Sequence, residues 1–204
     1  YSDVIVGAAD YDNGQLNEGA AYIFHGSAAG IITAPAIILE SNQSNSGYGL
    51  SVDGAGDVNG DGYSDLIVGA PGYNNNTGRA YIFYGGGIMN NTAYVTMTGE
   101  VINNEFAYVV SPAGDVNGDG YDDVIISAPG YSNYLGKTYI FYGGVNMNNI
   151  ADVTMTGEAT NDEYGRYAAS TAGDINGDGY DDIIVGAHNY STATGRAYIY
   201  FGSA

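Results

Sequence analysis

The chain has 204 residues, with 23 Asp and Glu against four Lys and Arg and a formal net charge of −19. So acidic a chain argues against nucleic acid or an anionic membrane as partner, and no apolar run reaches membrane-spanning length, so no membrane insertion is expected. Cysteine is absent, so no disulfide braces the fold, while 33 glycines and 21 tyrosines indicate many turns and many strands.

Taken in order, the chain opens inside a motif, because residues 1–8 match residues 63–70. No signal peptide is visible. Strands are expected around 21–24 and over 31–39, the latter interrupted by Pro35 as suits an edge. The first complete unit, 48–100, is expected to hold strands at 48–52, 66–71, 79–84 and 94–98. The second, 106–158, repeats them at 106–110, 124–129, 137–142 and 153–156. The last, 164–204, offers 164–168, 183–187 and 196–201. In the second strand of each unit the apolar run is continuous (Leu66-Ile67-Val68 in the first), so burial on both faces is expected.

Between the first and second strands of each unit lies a nine-residue stretch. It reads Asp57-Val58-Asn59-Gly60-Asp61-Gly62-Tyr63-Ser64-Asp65, then Asp115-Val116-Asn117-Gly118-Asp119-Gly120-Tyr121-Asp122-Asp123, then Asp174-Ile175-Asn176-Gly177-Asp178-Gly179-Tyr180-Asp181-Asp182. Oxygen-bearing side chains stand at positions 1, 3, 5 and 9, glycines at 4 and 6 permit sharp turns, and the tyrosine at 7 offers its carbonyl. An all-oxygen set of this kind suits Ca²⁺, one ion per loop and three in all. An EF-hand is excluded: position 12 is Val68, Ile126 or Val185 instead of a bidentate acid, and the flanks read as strands.

The loops begin at 57, 115 and 174, a period of 58 to 59 residues. Repeats of that length are supersecondary units that bury their faces only by stacking. Four antiparallel strands per unit favour a β-propeller over a solenoid. The fold expected is all-β: two complete blades and two partial ones, at 1–40 and 164–204, with about 14 strands in a single segment. A ring of that size is incomplete, so the segment is read as part of a longer ring, or as one completed by another chain or by self-assembly through its open blade ends.

Each unit resembles an FG-GAP repeat of the kind found in the propeller of integrin α-chains. The aromatic-Gly pair stands as Tyr48-Gly49 and Tyr164-Gly165 and departs to Phe106-Ala107. The Gly-Ala-Pro element stands as Gly69-Ala70-Pro71 and departs to Ser127-Ala128-Pro129, Gly186-Ala187-His188 and Gly7-Ala8-Ala9. The resemblance implies calcium on one face of the propeller and a protein or glycan partner on the other. The partner face would carry the loops between strands two and three and those between blades, with Tyr11, Tyr73, Tyr131, Tyr134 and Tyr190 as candidate contacts.

Asn-x-Ser/Thr sequons begin at Asn42, Asn75, Asn90 and Asn189, all in expected loops where a glycan can be carried. His25 and His188 occupy unrelated repeat positions, Ser127 reads as drift from glycine, and no nucleophile-base pattern is present, so no enzyme is expected. The reading is a calcium-stabilised extracellular module for adhesion. The alternatives are a structural subunit of an extracellular filament or surface assembly, and a non-catalytic accessory domain of a secreted enzyme.

Overall fold

The structure is a computed structural model and describes residues 1–87 and 89–204. Four antiparallel sheets follow one another along the chain. The first joins β1 (Val4–Ala8), β2 (Ala20–Phe24) and β5 (Ile37–Glu40), with a small hairpin of β3 (Gly26–Ser27) and β4 (Gly30–Ile31) between the last two. The second orders β6 (Val52–Gly56), β7 (Asp65–Ala70), β8 (Arg79–Phe83) and β9 (Val95–Thr98). The third repeats it with β10 (Val110–Gly114), β11 (Asp123–Ala128), β12 (Lys137–Phe141) and β13 (Val153–Thr156). The last holds β14 (Tyr164–Gly173), β15 (Asp182–Ala187) and β16 (Arg196–Tyr200). These are blades of the β-propeller type, and in the last three each strand pairs with its neighbour in sequence order.

The apolar runs of the second strands follow from the packing. Each junction between blades carries its own core. Neighbouring residues of one strand serve opposite junctions, because side chains alternate across the pleat. Val68 packs with Ala21, Ile23 and Leu39 of the first blade. Its neighbour Ile67 packs with Phe106, Val110 and Ile126 of the third. Ile125 then faces Tyr164, Ile183 and Val185 of the last blade. The two outward sheet faces differ from these junctions: Val4 and Val6 on the first blade, and Ile184 and Ile199 on the last, are exposed.

Three strand positions differ from the sequence-based expectation. The first strands of the complete blades run over Val52–Gly56 and Val110–Gly114 instead of 48–52 and 106–110. The aromatic residues Tyr48 and Phe106 plug the junction cores, and Gly49 (φ +81°) and Ala107 (φ +65°) turn the chain before the strand begins. In the last blade β14 is long enough to include the expected 164–168, with its register shifted between Tyr164 and Ala169. Similarly, 31–39 is a hairpin arm followed by a short strand, because the extended pairing of β2 is met only from Ile37 onward.

Candidate metal centres

In each of the last three blades the first strand ends in a bulge. The register shifts between Gly54 and Gly56, between Pro112 and Gly114, and between Thr171 and Gly173. The bulge turns the chain out of the sheet and into the nine-residue loop. Within the loop the acids hold their own backbone. Asp57 Oδ1 accepts the N–H groups of Gly60 (2.8 Å) and Asp61 (3.0 Å), and its Oδ2 accepts that of Gly62 (2.8 Å). Asn59 Oδ1 accepts from Asp61 N–H (2.8 Å), and Asp61 Oδ1 from Tyr63 N–H (2.9 Å). Gly60 and Gly62, at φ +75° and +86°, make the turn that these bonds require.

The other two loops reproduce this pattern. Asp115 holds Gly118, Asp119 and Gly120, and Asp174 holds Gly177, Asp178 and Gly179, with Asn117, Asp119, Asn176 and Asp178 in the corresponding places. The Gly179 N–H, with others of the loop, holds the Asp174 carboxyl below the usual carboxylate range. The amides of Tyr63, Tyr121 and Tyr180 are spent inside the loops, which leaves their carbonyls as the groups a ligand set would use.

The ninth-position aspartates differ from the rest. Asp65, Asp123 and Asp182 open the second strands and are fully buried. Asp65 accepts from Val58 N–H (3.0 Å) and Gly85 N–H (2.7 Å), Asp123 from Val116 (3.0 Å) and Gly143 (2.8 Å), and Asp182 from Ile175 (3.0 Å) and Gly202 (2.9 Å). Burial nevertheless pushes the Asp65 carboxyl up to about 6, and the charges of Asp61 and Asp57 add to the rise. Burial likewise pushes Asp123 up to about 7, with Asp119 and Asp115 adding. Asp3 makes the equivalent bond to Gly26 N–H (2.9 Å) with His25 at 3.1 Å, so the ninth-position acid also closes the sheet by itself.

Among the described residues no three His, Asp or Glu side chains form a cluster able to hold an ion by themselves. The oxygens that each loop could offer a cation are mixed: three carboxylates, one amide oxygen and one backbone carbonyl, all hard oxygen. In the first two loops the neighbouring carboxylates raise the ninth-position acid further, with no cation among them, and such a set fits a divalent cation of the calcium type.

The candidate partner face lies at the opposite end of the blades. Here Tyr73, Tyr131 and Tyr190 are half-buried, because a cation six residues along covers each ring. Arg79 lies 3.8 Å from the Tyr73 centroid, Lys137 5.0 Å from that of Tyr131, and Arg196 3.8 Å from that of Tyr190. Tyr134 (43 % exposed) and Tyr11 (37 %) present more of their rings, and Val101 and Ile102 lie exposed beside Tyr134 in an open groove. Asn42, Asn75 and Asn90 are exposed, whereas Asn189 is half-buried and its Nδ2 donates to the Asn161 carbonyl (2.8 Å). His188 packs on Tyr167 and lies 3.7 Å from Glu163.

Sequence reading missed what Ser127 does. Its buried hydroxyl accepts the Val109 N–H at 2.9 Å, a long-range bond with no local signature.

A family model described as FG-GAP repeat matches residues 48–83, 106–141 and 166–200. Similar curated proteins include integrin alpha-5 of Xenopus laevis, 33 % identical over 76 % of this chain and 16 % of that protein. Integrin alpha-PS5 of Drosophila melanogaster is 32 % identical over 84 % of this chain and 18 % of its own length. Integrin alpha-IIb of Mus musculus is 35 % identical over 75 % and 16 %. The chain thus spans less than a fifth of these relatives, which are integrin α chains and not enzymes. Matched repeats over three blades, and the same loop geometry in each, place the chain in the FG-GAP repeat family.

Proposed function

We propose that this chain is a calcium-stabilised, extracellular β-propeller segment that serves adhesion through a protein partner. One ion per loop would be held by Asp57, Asn59, Asp61, the Tyr63 carbonyl and Asp65, and by the equivalent residues of the loops at 115–123 and 174–182. The observation that carries the reading is the fully buried ninth-position aspartate of the first two loops, Asp65 and Asp123, whose charge is disfavoured by burial and by two neighbouring acids. A divalent cation relieves that repulsion and ties the first strand to the second. The extracellular setting and the protein partner rest on the likeness to integrin α chains, and the partner would meet the face carrying Tyr134, Tyr11, Val101 and Ile102.

Sites in the extracellular affinity range would each add about 0.4 to 1.4 kcal/mol at millimolar calcium. Together they would form a sizeable part of a typical total stability. The test is thermal unfolding in millimolar calcium and after exhaustive chelation. A melting temperature that falls on chelation and returns with calcium, but not with sodium, supports the reading. An unchanged melt rejects it.

A further inference from the structure

Adjacent loops touch, and they do so by one repeated device. Asp122, at position eight of its loop, is not part of the ligand set. Its Oδ2 accepts the N–H of Asp57, the first residue of the preceding blade's loop, at 2.7 Å. Its own N–H donates back to the Asp57 carbonyl at 3.2 Å. Asp181 does the same to Asp115, with 3.0 Å from Asp115 N–H to its Oδ2 and 3.1 Å for the return bond.

The seat for this carboxylate is cut into the preceding blade. A side chain on Gly56 or Gly114, each at φ +77°, would collide with the carboxylate of Asp122 or Asp181. The neighbouring tyrosine completes the contact: the ring of Tyr121 lies against Gly60, and that of Tyr180 against Gly118, the fourth residue of the preceding loop. Further along, Gly144 N–H donates to the Val58 carbonyl (2.7 Å), and Ser203 N–H to that of Val116 (2.9 Å). The first loop supplies an internal comparison. Its position eight is Ser64, where the next two loops carry aspartate.

We infer that Asp122 and Asp181 are positioning residues that couple calcium binding between blades. This rests on the calcium reading above. Asp122 adjoins Asp123, a ligand of its own loop, while its carboxylate fixes the backbone of Asp57, the first ligand of the preceding loop. An ion at 115–123 orders the residue that pre-organises 57–65, and an ion at 174–182 does the same for 115–123. Outer partners of ligating residues change metal affinity by about 10- to 100-fold when removed. The coupling runs through ordering, so occupied loops favour occupation of their neighbours.

The experiment follows amide hydrogen exchange of peptides covering each loop through a calcium titration. It compares the wild type with Asp122→Ser and Asp122→Asn. Serine already stands at this position in the first loop, and asparagine retains the acceptor oxygen. For Asp122→Ser, the calcium midpoint for protection of 57–65 should rise by about tenfold and that of 115–123 should rise with it, because coupling is reciprocal, while that of 174–182 shifts by less than about threefold. Asp122→Asn should leave all three near wild type. A shift confined to 115–123, an equal shift in all three loops, or none would overturn the coupling while leaving the calcium reading intact. Absence of calcium-dependent protection in the wild type would reject the calcium reading itself. If Asp122→Ser fails to fold, Asp181→Ser read at 115–123 makes the same comparison at the next junction.

Discussion

Lys137 reaches from the start of its blade's third strand to Glu100 at the exit of the preceding blade, with Nζ 2.8 Å from Oε1. Arg196 repeats the reach to Glu158 at 2.6 Å. Three of the chain's four cations, Arg79, Lys137 and Arg196, stand at one repeat position, and each covers a loop tyrosine.

The Lys137 ammonium also lies 4.5 Å from the Tyr139 centroid, and its side chain is 11 % exposed against 48 % for Glu100. A half-exposed carboxylate contributes little, whereas a cation held between two rings contributes through the rings and its packed stem. Replacing Lys137 by Ala is therefore expected to lower stability by about 1–2 kcal/mol, and Glu100→Gln by less than about 0.5 kcal/mol. Urea unfolding of both variants checks this, and equal losses would return the weight to the ion pair.

Ser127 stands where the other units carry glycine, and its hydroxyl takes the Val109 N–H. Ser127→Ala removes that acceptor inside a buried strand, at a cost of about 1–2 kcal/mol. The measurement is the unfolding free energy together with exchange protection of the Val109 amide. A variant with unchanged stability and a still-protected amide would show that the bond is dispensable.

The order of strands and their spacing by blade are legible in the sequence because the repeat itself carries them. The loop residues are legible too, since acids and glycines at fixed positions dictate their own local hydrogen bonds. The start of the first strand is not, because Leu50 and Val52 alternate as a strand should, while Gly49 and Ala107 take positive φ and delay it. The second role of positions seven and eight is also hidden. Tyr121 and Asp122 act on Gly60 and Asp57 about sixty residues away, and only stacking the blades brings them together. The covering of the loop tyrosines had a visible sign, the cation six residues after Tyr73, Tyr131 and Tyr190.

Each loop between strands two and three of the last three blades contains a run of three left-handed residues. These are Asn74-Asn75-Asn76, Ser132-Asn133-Tyr134 and Ser191-Thr192-Ala193. The geometry serves the junctions: the carbonyls of Asn75 and Asn76 accept from Asn103 and Glu105, and those of Asn133 and Tyr134 from Asn161 and Glu163. Asparagine tolerates this conformation, whereas a β-branched residue is the least suited to it. Thr192, at φ +61°, occupies the place of Asn75 and Asn133. Thr192→Asn should therefore add about 0.5–1 kcal/mol and raise the melting temperature by about 1–4 °C. The protein for this test is made without N-glycosylation, because the substitution creates a sequon. A lowered melting temperature would mean that the threonine hydroxyl, which donates to the Ser191 carbonyl at 2.6 Å, outweighs the backbone strain.

Asp65 and Asp123 set the pH dependence. A carboxyl whose folded pKa lies above its unfolded value stabilises the fold only while protonated. That contribution is complete below the unfolded value of about 4, and it is lost as the pH rises through about 6 for Asp65 and about 7 for Asp123. Chelated protein is therefore expected to melt at a lower temperature at about pH 8 than at about pH 5.5. Calcium reverses the order, because it binds the ionised carboxylates and competes with protons for them. The gain in melting temperature on adding calcium should be larger at the higher pH. Asp65→Asn and Asp123→Asn together remove both charges, and should flatten the chelated protein's slope between these two pH values. A slope that persists in the double variant would assign the pH dependence to other acids, and a calcium gain independent of pH would show that these two carboxylates do not meet the ion.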